Sequence, residues 1–131
     1  MKTIKILILL LLSVGTLQAQ KLGNYDIMKK TPVKLVRVAT TGSNINLAAA
    51  PNALDGISLA AGDRILVKNQ TAGAENGIYY VSTLGTGANG VWTRSYDFSL
   101  TDDLFKGIQV NVLEGTANAR TVFYLTNTGT L

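Results

Sequence analysis

The chain contains neither cysteine nor histidine. Without cysteine there is no disulfide, no thiolate metal site, no cysteine nucleophile and no lipid-modified cysteine. Without histidine the usual neutral-pH acid–base and the commonest metal ligand are missing, and so is every catalytic triad built on them. No metal or other cofactor is therefore expected. Charge of one sign is also never concentrated. Beyond residue 20 the cations are Lys21, Lys29, Lys30, Lys34, Arg37, Arg64, Lys68, Arg94, Lys106 and Arg120, which form no stripe or tail. Nucleic acid is accordingly not an expected partner. The loose cluster from Lys29 to Arg37 reads as a solvated strand edge, where lysines discourage edge-to-edge aggregation.

One apolar run stands out, and it is short. Lys2 and Lys5 precede the unbroken Ile6 to Leu12, and Ser13 to Ala19 turns small and polar. That layout is expected of a signal peptide over 1–19, cut between Ala19 and Gln20, with Leu17 an unusual residue at minus three. A membrane span needs ~20 apolar residues, so no stable span is expected after cleavage. Cleavage would remove two of the twelve cations and no acid, lowering the net charge from +4 to +2. The expected destination is outside the cytoplasm: periplasm, cell surface or medium. The remaining length suits one domain, which without disulfides must rely on its own apolar core.

Residues 20–32 read as an irregular lead-in, because Pro32 lacks a donor and biases Thr31 to extended geometry. From Val33 the signals are β signals. Val33 to Val38 alternates, with Thr40, Thr41 and Gly42 as its stop, and short extended pieces follow at Ile45 to Leu47 and Ile57 to Leu59. Asp55-Gly56 is a strong turn pair. Arg64 to Lys68 is the clearest strand, and Glu75-Asn76-Gly77 is a hairpin-type turn into Ile78 to Val81. A glycine-bearing loop is expected over Ser82 to Gly90, then strands at Val91 to Arg94, Ile108 to Leu113 and Val122 to Thr126. Thr101 to Phe105 is the single place for a helical turn, with Thr101 as cap and Asp102 and Asp103 near the positive dipole end. The sum is an all-β domain over 33–131: a small barrel or sandwich of short antiparallel strands with at most one short helical turn.

The stretch from Asp55 to Tyr79 contains G-D-R-I-L-V-K-N-Q (Gly62 to Gln70) and E-N-G-I-Y (Glu75 to Tyr79). Trp92-Thr93-Arg94, Asp97-Phe98 and Val112 to Thr116 follow, and Val36 to Gly42 precedes it. Together these resemble a β-rich module of phage and prophage tail-fibre and other virion proteins, over roughly Val33 to Thr130. The resemblance implies a structural or binding module, not an enzyme. Two departures accompany it. An export signal is out of place on a protein that assembles in the cytoplasm. The chain also stops where another short extended segment is expected: either the last strand is missing, or the sequence is a fragment, or a second chain completes the sheet at the C-terminal edge.

The residues themselves favour a scaffold. Gly62 and Gly77 suit turns, Asp63 and Asn76 can accept backbone N–H bonds, and Tyr79, Trp92 and Phe98 are large enough to fill a small interior. For a ligand, the candidate surface is Asn69, Gln70, Asn76, Tyr80 and Tyr96, with Tyr79, Trp92 and Asn89 nearby in sequence. Amphipathic rings and amides together suit a cell-surface glycan. The other expected partner is a protein chain, including a second copy. The competing enzymatic reading is a hydrolase using two carboxylates drawn from Asp63, Glu75, Asp97, Asp102, Asp103 and Glu114, one of them with a displaced pKa.

Overall fold

The computed structural model describes residues 33–99 and 107–126. The expected signal (1–19), the lead-in (20–32) and the helical turn at 101–105 lie outside those residues. The described residues fall within one unit, Pro32–Leu131. Its strands are β1 (Val33–Val36), β2 (Val38–Ala39), β3 (Ala50–Pro51), β4 (Ala53–Leu54), β5 (Ile57–Ser58), β6 (Arg64–Val67), β7 (Gly77–Thr83), β8 (Ala88–Arg94), β9 (Gln109–Val112) and β10 (Val122–Tyr124). Two single 3₁₀ turns, Gly73–Glu75 and Tyr96–Phe98, are the helical content among the described residues. The all-β expectation holds.

Three sheets are present: β1-β9-β10, β2-β6-β7-β8-β3 and the hairpin β4-β5. They curl into a half-barrel. Most neighbours are antiparallel, as expected, but β1 with β9 and β2 with β6 are parallel. Parallel neighbours need a long crossover, and here the chain between β2 and β6 supplies it by making β3, β4 and β5 on the way. The β4-β5 hairpin turns on Asp55 and Gly56, both at positive φ (49° and 79°). That is the backbone a two-residue hairpin loop requires, and the reason an Asp-Gly pair stands there.

The five-stranded sheet buries one face along its length and, at β6 and the start of β7, the other face as well. Ile65, Val67, Tyr79, Val81 and Trp92 point into one cluster with Val38, Ala50, Leu54 and Leu59. Leu66 and Ile78 point into the other, joined by Phe98 from a 3₁₀ turn, Ile108 just before β9, and Val36, Val110 and Val112 from the three-stranded sheet. Strand β6 is thus a continuous apolar run because both its sides face a core. Ile45 and Leu47, expected as an extended piece, form no strand. They pack against the first cluster while the Leu47 carbonyl accepts the Trp92 N–H at 2.9 Å.

Two other expectations are corrected. The loop over 82–90 shrinks to Leu84–Gly87, because β7 runs on to Thr83 and β8 starts at Ala88. The solvated-edge reading of Lys29 to Arg37 fails at Lys34, which is buried and 3.4 Å from Asp97. Lys34 shares the inward period of β1 with Val36, leaving Val33 and Leu35 exposed. A two-residue period cannot say which of its two faces is the inner one.

Candidate functional site

The residues of the tail-fibre-like stretch gather at the two ends of the β6–β7 pair. At the first end, Val67 lies opposite Gly77, and Asn69, Gln70 and Asn76 close the connection. Gln70 is buried, and its side chain accepts the Ile45 N–H (2.8 Å) while donating to the Ile45 carbonyl (3.0 Å) and to Glu75 (3.0 Å). Asn76 accepts the Gln70 N–H at 2.9 Å through Oδ1. Both amides therefore hold this chain's own backbone, and neither is presented outward as the glycan reading requires. Asn69 is exposed, at φ 66°, a left-handed conformation that Asn tolerates better than most residues.

Arg94 locks this end from the neighbouring strand. Its guanidinium donates to the carbonyl of Asn76 (3.0 Å), to that of Ala74, and to the Tyr79 hydroxyl (2.7 Å). It also lies over the Tyr79 ring, 4.8 Å from the centroid. Tyr79 in turn donates to the Glu75 carbonyl at 2.9 Å, and burial pushes its pKa up, so the phenol stays a donor at neutral pH. Gly77 must be glycine here: a Cβ would strike the Arg94 guanidinium and come within 3.2 Å of the Phe98 ring. The E-N-G-I-Y and W-T-R segments, separate in sequence, form one bracket in space.

At the other end Tyr80 lies directly opposite Arg64 on β6 and Thr93 on β8. Arg64 grips Asp97 with two nitrogens (3.2 and 3.1 Å), reaches Ser95 Oγ at 2.9 Å, and donates to the Leu35 carbonyl at 3.1 Å. Ser95 Oγ donates to Asp97 at 2.5 Å, and Lys34 approaches from beneath. Burial by itself would raise the Asp97 pKa. The Ser95 and Arg64 hydrogen bonds and the two positive charges outweigh it, and the net displacement is downward. Tyr96 stands between Ser95 and Asp97 with 76% of its surface exposed, and Tyr80 is partly exposed. The five candidate ligand residues are thus divided. Tyr80 lies beside Arg64, about 10 Å by strand rise from Gly77 and the connection that Asn69, Gln70 and Asn76 close, while Tyr96 follows Ser95, whose N–H donates to the Ile78 carbonyl.

The remaining described acids are also engaged. Asp63 accepts the Ala60 N–H (2.7 Å) and pairs with Arg37 (2.5 Å). Arg37 also meets Glu114 at 3.2 Å, so one guanidinium separates those two carboxylates. Asp55 accepts the N–H groups of Ala117 (2.8 Å) and Asn118 (2.9 Å), and chiefly the Ala117 bond holds its pKa down. Asp102 and Asp103 lie outside the described residues. Among the described residues no group of three or more acidic side chains converges as a metal site would require.

Sequence reasoning missed Lys34 and Ser95 as members of the Asp97 cluster, and the joining of Arg94 to Tyr79. The one signal available was the alternation of β1, which puts Lys34 and Val36 on the same face. Comparison with known proteins brings no family to this arrangement: no family model, no curated protein and no solved structure matches the chain.

Proposed function

We propose that this chain is an exported, non-catalytic structural or binding module of the phage tail-fibre type, with a surface glycan as its ligand class. The observation that carries the reading is the use made of the polar residues in the tail-fibre-like stretch. Asp63, Arg64, Gln70, Glu75, Asn76, Tyr79 and Arg94 all bond to turns, strands or each other within the domain. Residues so committed support a rigid frame and have little capacity left for chemistry on a substrate. The ligand-facing part of the reading rests on Tyr80 and Tyr96, whose side chains are exposed.

The hydrolase alternative finds less support. A general acid needs a carboxyl pKa displaced upward, whereas among the described residues the displaced carboxylates, Asp55 and Asp97, both move downward. Export is tested by intact mass: protein recovered outside the cytoplasm should begin at Gln20, and an uncleaved Met1 would refute it. The ligand proposal is tested by a glycan-array screen of the wild-type protein and Tyr96→Ala. Binding that the substitution abolishes is the expected result. A screen with no signal above background removes the ligand and leaves a purely structural module.

A further inference from the structure

We propose that β10 is a pairing edge through which two copies of this chain join their three-stranded sheets into one. The other edges of the two larger sheets are obstructed or withdrawn. Strand β3 carries Pro51, which cannot donate to a neighbour. The Leu35 carbonyl of β1 is already taken by Arg64 Nε. Both residues of β2, Val38 and Ala39, are fully buried.

Strand β10 differs. Thr121 accepts the Val112 N–H and Leu125 donates to the Ile108 carbonyl, so the odd-numbered positions face β9. By the alternation of an antiparallel ladder, the N–H and C=O groups of Val122 and Tyr124 point away from it. No described residue bonds to them. Their side chains stand on the outer face of the sheet, 41% and 59% exposed. Across that face run two rows in register, Leu35–Asn111–Val122 and Val33–Gln109–Tyr124. None of the six is charged. Lys68, the nearby cation, lies over the inward Phe123 ring, on the other side of the sheet.

The occupant that matches this edge is the same edge of a second copy. A two-fold axis at Phe123 sets Val122 opposite Tyr124 of the copy, and Tyr124 opposite its Val122. Each pair exchanges both backbone bonds, giving about four in all. A β-branched residue facing an aromatic one is a favoured cross-strand pair. An uncharged edge meets itself without the like-charge repulsion that natural edges use to prevent this contact. The outer rows of both copies then lie side by side on one continuous sheet. This inference does not depend on the glycan reading.

The test is sedimentation equilibrium of the purified protein from about 10 µM to about 1 mM, the range where a small edge contact would register. A reversible dimer is expected. In hydrogen exchange, the Val122 and Tyr124 amides should become at least several-fold more protected as concentration rises. Val122→Pro removes an outward donor without touching the β9 bonds, and Tyr124→Lys places a charge on the edge. Both should be monomeric at every concentration with an unchanged circular dichroism spectrum. A monomeric wild type across the whole range would overturn the proposal. So would a dimer that survives folded Tyr124→Lys.

Discussion

Replacing Arg94 with alanine should destabilise the domain far more than a half-exposed surface arginine ordinarily would. The side chain makes two bonds to backbone carbonyls, one to the Tyr79 hydroxyl, and a face contact with the Tyr79 ring. A hydrogen bond from a charged donor contributes about 1.5–3 kcal/mol when well shielded, and partial exposure of Arg94 reduces each to roughly half. The ring contact adds about 0.5–1 kcal/mol. The carbonyls left behind at Ala74 and Asn76 are close to solvent and recover part of the loss by hydration. The net cost is about 2–4 kcal/mol. In urea this moves the midpoint down by about 1–2 M, and in thermal melts by roughly 10–20 °C. Trp92, the sole tryptophan and buried in the same sheet, reports the transition by fluorescence. Arg94→Lys should recover less than half of the loss, because one ammonium cannot reach three acceptors in different directions. A double-mutant cycle with Tyr79→Phe should give a coupling of about 0.5–1.5 kcal/mol. A loss below about 0.5 kcal/mol in Arg94→Ala, or a coupling of zero, would show that the bracket contributes nothing and would refute the reasoning.

Ile65→Ala and Leu66→Ala should each cost about 2–4 kcal/mol, although their side chains leave β6 on opposite faces; urea titrations in which either is nearly neutral would contradict a strand buried on both sides. Gly56→Ala should cost about 1–3 kcal/mol, from positive φ together with a Cβ placed 2.5 Å from Thr116 Oγ1, and unchanged stability would rule out that close approach. The folded-state pKa values of Asp55 and Asp97 are both depressed, so their contribution is fully present above the ordinary carboxylate range near ~4 and is lost as pH falls through the depressed values. Urea midpoints measured from neutral pH downward should therefore hold steady until about pH 4 and then decline, with a shallower decline in Asp97→Asn; a midpoint independent of pH in acid would refute the pairing.

Much of the frame was legible in the residues. Asp-Gly at 55–56 demanded a tight hairpin, and the structure uses both positive-φ positions for it. Tyr79, Trp92 and Phe98 were expected in the interior because a small β domain needs large rings to fill it, and each is at most 5% exposed. Asp63 was expected to accept a nearby backbone N–H, and it does so from Ala60 three residues away. These are local demands, set by backbone sterics and side-chain reach within a few positions. Gln70 was less legible. Its amide type suited a ligand surface equally well, and only the approach of Ile45, 25 residues earlier in the chain, commits it to the interior.

The sequence by itself determined the chemistry that is absent, the β character of the domain, and the places where the chain must turn. Tertiary structure decided which strands run parallel, which face of β1 is inward, and which charges meet. The physical reason is range. Turn geometry and alternation act over a few residues, whereas Lys34 on β1, Arg64 on β6 and Asp97 in the 3₁₀ turn after β8 come from distant parts of the chain, and only the packing of the two sheets makes a buried lysine tolerable beside its carboxylate.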